Sequence, residues 1–119
     1  MIRKKEAKEW AREHMKGLWT TPTIPFTADF KLDEAGIRHN VDRMIQAKCN
    51  GIGFGFSEPW VCSLEERKRA MEVSVDAIHG RVHSYLHATD HSVPETIALT
   101  RHAEAVGANN AHLAAARFL

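Results

Sequence analysis

The chain has 119 residues, enough for one domain with a real core and too few for two. Charged residues make up 26% and apolar ones 44%, the mixture of an ordinary globular domain rather than a disordered chain. A formal net charge of +1 argues against a dedicated nucleic-acid or membrane surface, and no apolar run approaches the ~20 residues of a membrane span.

Residues 2–16 predict a leading helix, with Ala7, Trp10, Ala11 and Met15 near one face and Gly17 placed to end it. From Leu18 to Phe26 the threonines and Ile24 favour extended backbone, which Pro22 and Pro25 interrupt. Thr27 to Leu32 predicts a turn. Asp33 then caps a helix whose Ile37, Val41, Met44 and Ile45 form one stripe, closed at Asn50-Gly51. The following run, Gly51-Ile52-Gly53-Phe54-Gly55-Phe56, has no polar alternation and suits a strand covered on both faces. It breaks at Ser57-Glu58-Pro59-Trp60, where proline cannot donate to a ladder.

Ser63-Leu64-Glu65-Glu66 is a capping box, opening a helix with Leu64, Met71, Val75 and Ile78 on its apolar face and Gly80 as its stop. Val82 to Ala88 predicts a strand and Thr89-Asp90-His91 a loop. Ser92-Val93-Pro94-Glu95 reads as a second capping box for a helix through Ile97, Ala103 and Val106 to Gly107. Ala111 to Ala116 is a candidate last strand. Strict alternation of β and α predicts a parallel sheet with right-handed crossovers. Cys49 and Cys62 flank the central strand and read as reduced thiols; with a charged amino end, cytoplasm is the expected location.

This order resembles the amino-terminal part of the dihydrodipicolinate synthase and N-acetylneuraminate lyase family of (β/α)8 barrels. The matching stretches are Ile24-Pro25-Phe26 with Thr27-Ala28-Asp29, Lys31-Leu32-Asp33-Glu34, Gly51-Ile52, Ser63 to Arg67, Gly80-Arg81-Val82, Glu95-Thr96-Ile97 and Arg101 to Ala108. The fold this implies is α/β: the amino-terminal half of a (β/α)8 TIM barrel, residues 1–119 as a single incomplete barrel segment. Residues 1–17 would be the leading helix, and 18–119 would hold about three βα units plus the candidate fourth strand.

The resemblance also implies class I aldolase chemistry. A strand-borne lysine forms a Schiff base with pyruvate or another 2-oxo acid, a tyrosine after the fourth strand relays protons, and a hydroxyl-rich loop after the second strand holds the substrate carboxylate. The imine is an electron sink, and a carboxylate needs converging donors. Here that loop is shorter, with Phe56 at a threonine place and Ser57 as its remaining hydroxyl. Where the family has glycine-rich sequence after its third strand, this chain has His87, Asp90 and His91. Arg117 and Phe118 stand near the tyrosine position, and none of the seven lysines lies on a predicted strand. No catalytic residue is therefore expected within the chain; the Schiff-base lysine would lie beyond it.

The substrate-binding expectation falls on Ser57, Glu58, His87 and His91: Ser57 binding the carboxylate, Glu58 holding the loop, and the histidines touching substrate. The alternatives are an ordinary polar loop for Ser57 and Glu58, and for His87, Asp90 and His91 a solvated turn, an acid–base group or a metal site. A third strong ligand is lacking for the last, so no metal and no cofactor is expected. Trp60 is read as packing on the next helix, and Glu65 to Arg69 as a solvated helix face. Expected partners are a small 2-oxo acid and further copies of the chain, without nucleic acid or membrane. The competing function is a non-catalytic half barrel that self-associates.

Overall fold

The computed structural model describes residues 3–55 and 60–114. Its elements run α1 Ala7–His14, β1 Trp19–Thr20, α2 Glu34–Gln46, β2 Gly51–Phe54, α3 Leu64–Ile78, β3 His83–His87, α4 Val93–Ala105 and β4 Asn110–His112. The four strands form one sheet in the order β1-β2-β3-β4, and each neighbouring pair is parallel. The parallel order is the one the alternation predicts, and it forms the front half of a β/α barrel, as the resemblance implies.

Local chemistry sets the boundaries. Asp33 caps α2 by accepting from the Gly36 N–H at 2.9 Å. The Ser63 box forms in both directions, Ser63 Oγ accepting from Glu66 N and Glu66 Oε2 from Ser63 N. At α4 only half of the expected box forms: Ser92 accepts from Glu95 N, while the Glu95 side chain bonds to Asp90 instead. The leading helix is shorter than residues 2–16, and β1 occupies only Trp19–Thr20 of the extended stretch, since Pro22 and Pro25 have no N–H for a ladder. β2 ends at Phe54 because Gly55 takes φ +86° and turns the chain off the sheet. β4 begins at Asn110, a residue before the expected start, and ends at His112: Ala114 N–H goes to the Thr89 hydroxyl, not to a strand carbonyl. Residues 115 and 116 lie outside the described residues.

One face of the sheet carries the core. Ile52, Phe54 and Leu86 pack with Ile37 and Val41 of α2, Ala70, Met71, Val73 and Ile78 of α3, and Leu99 and Ala103 of α4. Each large apolar side chain buried this way contributes about 1.5–3 kcal/mol. On α4, Leu99 and Ala103 are buried while Ile97 is 45% exposed.

The opposite, concave face is aromatic. Trp19 lies over Gly51 and Tyr85 over Gly53; a Cβ on either glycine would stand 2.3 Å or 2.4 Å from the ring above it. Tyr85 donates its hydroxyl to the Thr20 carbonyl at 2.9 Å, tying β3 to β1 across β2. His83 stacks parallel to Trp19, with ring centroids 5.7 Å apart, and meets Trp10 and His14 of α1 edge-on. The leading helix therefore plugs the end of the sheet where the strands begin. Among the described residues no helix is long and apolar enough to cross a membrane.

Candidate functional site

Parallel strands deliver their carboxyl ends to one rim, and side chains there face whatever enters the barrel. β2 leaves the sheet at Gly55, and a Cβ at Gly55 would sit 3.6 Å from His87 Cβ. His87, the last residue of β3, also hydrogen-bonds to the Gly55 backbone. Its ring is buried and stacks on His112, its register partner on β4, with centroids 5.5 Å apart and planes 26° apart. Burial holds the His87 imidazole below its ordinary pKa. The neighbouring His112 and Arg67 push the same way, and the Gly55 bond opposes them.

His91 takes a different partner. It is exposed and stacks on Trp60 with centroids 4.4 Å apart, so the tryptophan expected against α3 has a loop imidazole on its ring. The consequence is architectural. Ser57 and Glu58 lie between Gly55 and Trp60 in the chain, and each of those flanking residues rests against one of the two histidines. Ser57 and Glu58 themselves lie outside the described residues.

Behind this rim Arg67 is only 4% exposed. Its Nη1 donates to Asp90 Oδ2 at 2.7 Å and its Nη2 to the Thr89 carbonyl at 2.7 Å. Asp90 Oδ1 accepts from Ser92 N at 3.0 Å, closing the turn the sequence suggests for Asp90. Burial alone would raise the Asp90 pKa, but its hydrogen bonds from Ser92 and Glu95 and the Arg67 charge bring it below the usual carboxylate range. Glu95 is pushed up by its bond to Asp90.

Arg67 therefore corrects the reading of residues 65–69 as a solvated face. Lys68 and Arg69 do pair with Glu65 and Glu72 on the surface, and Arg69 also grips Glu34 of α2 through two bonds of 2.7 and 2.9 Å. Arg67 instead shares the buried stripe with Ala70, Met71, Ser74 and Ile78, a helical spacing that was visible in the sequence. His112 was missed because its strand was placed from its alanines rather than from its neighbours. Among the described residues no group of three His, Cys, Asp or Glu side chains is placed to hold a metal ion.

A parallel β/α half barrel with its polar groups gathered at the carboxyl ends of the strands defines a TIM-barrel protein. The chain belongs to the dihydrodipicolinate synthetase family, whose family model matches residues 14–115. It is 40% identical over 83 residues to 4-hydroxy-tetrahydrodipicolinate synthase from Thermus thermophilus, covering 68% of this chain and 28% of that one. It is 28% identical over 99 residues to N-acetylneuraminate lyase from Fusobacterium nucleatum, covering 78% and 33%. Among solved structures, a dihydrodipicolinate synthase superposes with TM-score 0.78 at 31% identity, over 82% of this chain and 34% of that one. N-acetylneuraminate lyase from Proteus mirabilis does so with TM-score 0.77 at 30% identity, over 82% and 33%. The chain thus spans about a third of the length of the curated relatives it matches.

Proposed function

We propose that this chain is the front part of a lyase or aldolase that acts on pyruvate or another 2-oxo acid. Ser57 would hold the substrate carboxylate, Glu58 would brace the loop, and His87 and His91 would shape the mouth. The observation that supports this reading is that Gly55 meets His87 and Trp60 meets His91 just beyond the carboxyl ends of β2 and β3. The imine-forming lysine would come from strands beyond residue 119. All seven lysines of this chain lie on helices, turns or the amino end, and none on β1–β4. An amine attacks a carbonyl only when its surroundings keep it neutral, and none of the seven lysines is buried.

The test is pyruvate with borohydride, read by mass spectrometry, beside a pyruvate titration followed by NMR. The titration should move the Gly55, His87 and His91 amides, and trapping should leave no stoichiometric adduct. An adduct on one of the seven lysines, or a titration that moves none of these amides, would overturn the reading.

The second reading, a non-catalytic half barrel that self-associates, is favoured by one feature. Among the described residues β1 and β4 each pair on one side only, and an open strand edge invites another copy. Light scattering after size-exclusion chromatography separates the cases. Association that persists without any pyruvate response supports the module, and a stable monomer removes it.

A further inference from the structure

At the amino ends of the strands, opposite the rim, a cavity of about 430 Å³ lies where the end of α1 meets the turns leading into β2 and β3. That volume falls in the range of about 300–1,000 Å³ that holds small ligands. Glu13, His14 and Lys16 line it from the end of α1, Asn50 from the α2–β2 turn, and Arg81 and His83 from the entry to β3.

Local bonds decide what these side chains present. Arg81 donates from Nε to the Ile78 carbonyl at 3.2 Å, and from Nη2 to the Ala77 carbonyl and Asp42 Oδ1, both at 2.7 Å. The guanidinium is thereby fixed at the end of α3, and Nη1 is the donor those bonds leave. Asn50 Oδ1 accepts from the Leu18 N–H at 3.0 Å, which commits the oxygen and leaves the amide NH2. The Trp10 carbonyl can only accept, so His14 Nδ1, 2.9 Å away, carries the proton of the neutral ring and Nε2 its lone pair. The wall therefore holds donors from Lys16, Arg81 and Asn50 beside acceptors from Glu13 and His14.

We propose that this cavity binds a phosphate monoester of a small hydroxylated molecule. The phosphoryl oxygens take hydrogen bonds from Lys16, Arg81 and Asn50, and the ligand's hydroxyls donate to Glu13 and His14. Bonds from an ammonium or a guanidinium to such an oxyanion are charge-assisted. Asp42 already meets part of the Arg81 charge, so Lys16 is the cation that favours an anion here. Glu13 repels a bare phosphate, and only a ligand with hydroxyls to donate offsets that repulsion. The site lies at the opposite end of the sheet from the rim and is independent of the 2-oxo acid reading.

The experiment titrates the whole chain, labelled with 15N, with glycerol 3-phosphate and, separately, inorganic phosphate, against sodium chloride at matched ionic strength. The backbone amides of Lys16, Asn50, Arg81 and His83 should shift saturably, and the ester should bind severalfold more tightly than inorganic phosphate. Lys16→Gln, a change at an exposed side chain, should weaken the ester by about fivefold. Glu13→Ala should bring the two ligands close to equal affinity. Shifts no larger than those from sodium chloride, an unchanged affinity in Lys16→Gln, or inorganic phosphate bound by the parent as tightly as the ester would each overturn the site. Should Lys16→Gln fail to fold, Glu13→Ala decides: a preference for the ester that this change removes supports the site, and one that it leaves intact overturns it.

Discussion

The Arg67 guanidinium stands 2.7 Å from the Asp90 carboxylate, its own side chain 4% exposed and that of Asp90 18%. One comes from the first turn of α3 and the other from the loop after β3, so this pair ties the start of α3 to that loop. A charge buried in a pair is costly to orphan, although the pair as a whole need add little to stability.

Asp90→Ala should therefore destabilise the chain by about 3 kcal/mol, because it leaves Arg67 buried without a counter-charge. The double variant Arg67→Met with Asp90→Ala should be clearly less damaged than Asp90→Ala alone. Urea unfolding of the four species of the cycle gives the coupling. Additive losses would show that the two side chains do not act together.

Tyr85→Phe keeps the ring over Gly53 and loses the bond to Thr20, so it should cost about 1 kcal/mol. Gly53→Ala inserts a methyl where Tyr85 carbon atoms already stand 2.4 Å away, and should cost about 1–3 kcal/mol. Thermal unfolding that ranks Tyr85→Phe below Gly53→Ala in stability would contradict this packing.

His87 gives the stability a pH dependence whose sign can be worked out. Its folded pKa lies below the ordinary 6.5, so between the two values the unfolded chain binds more protons than the folded one. Stability contributed by neutral His87 is complete above pH 6.5, falls as pH drops through that value, and levels off below the folded pKa. His87→Gln should flatten this slope in denaturation curves taken from pH 7.5 to about 5. An unchanged slope would mean that other groups set it.

Ser57→Ala should weaken pyruvate binding by about tenfold or more if its hydroxyl donates to the carboxylate, since a bond to a charged partner contributes ~1.5–3 kcal/mol. Isothermal calorimetry on the parent and the variant reads this directly. Equal affinities would retire Ser57 as a ligand for the acid.

Much of the fold was legible in the chain because its causes are local. Asp33, Ser63 and Ser92 announce helix starts through side chains that reach backbone N–H groups within the same turn. Ile37 and Val41, or Met71 and Ile78, reveal a buried face by spacing alone. The unbroken apolar run at Gly51–Phe54 told of a strand covered on both faces, and all four of its residues are buried.

What the tertiary structure decided depends on pairs far apart in sequence. The parity of β3 is set by Trp19 and Tyr85 lying over Gly51 and Gly53, since a strand's two faces are alike until something packs on one of them. Arg67 passes for one more surface charge until β3 brings Asp90 and the Thr89 carbonyl to it, and those two acceptors offset the cost of burying its guanidinium. His87 and His91, near neighbours in sequence, part company for His112 and Trp60. Local propensity sets which residues turn, coil or extend; the register of parallel strands sets His87 against His112, the packing of two loops sets His91 on Trp60, and the candidate site is made of such meetings.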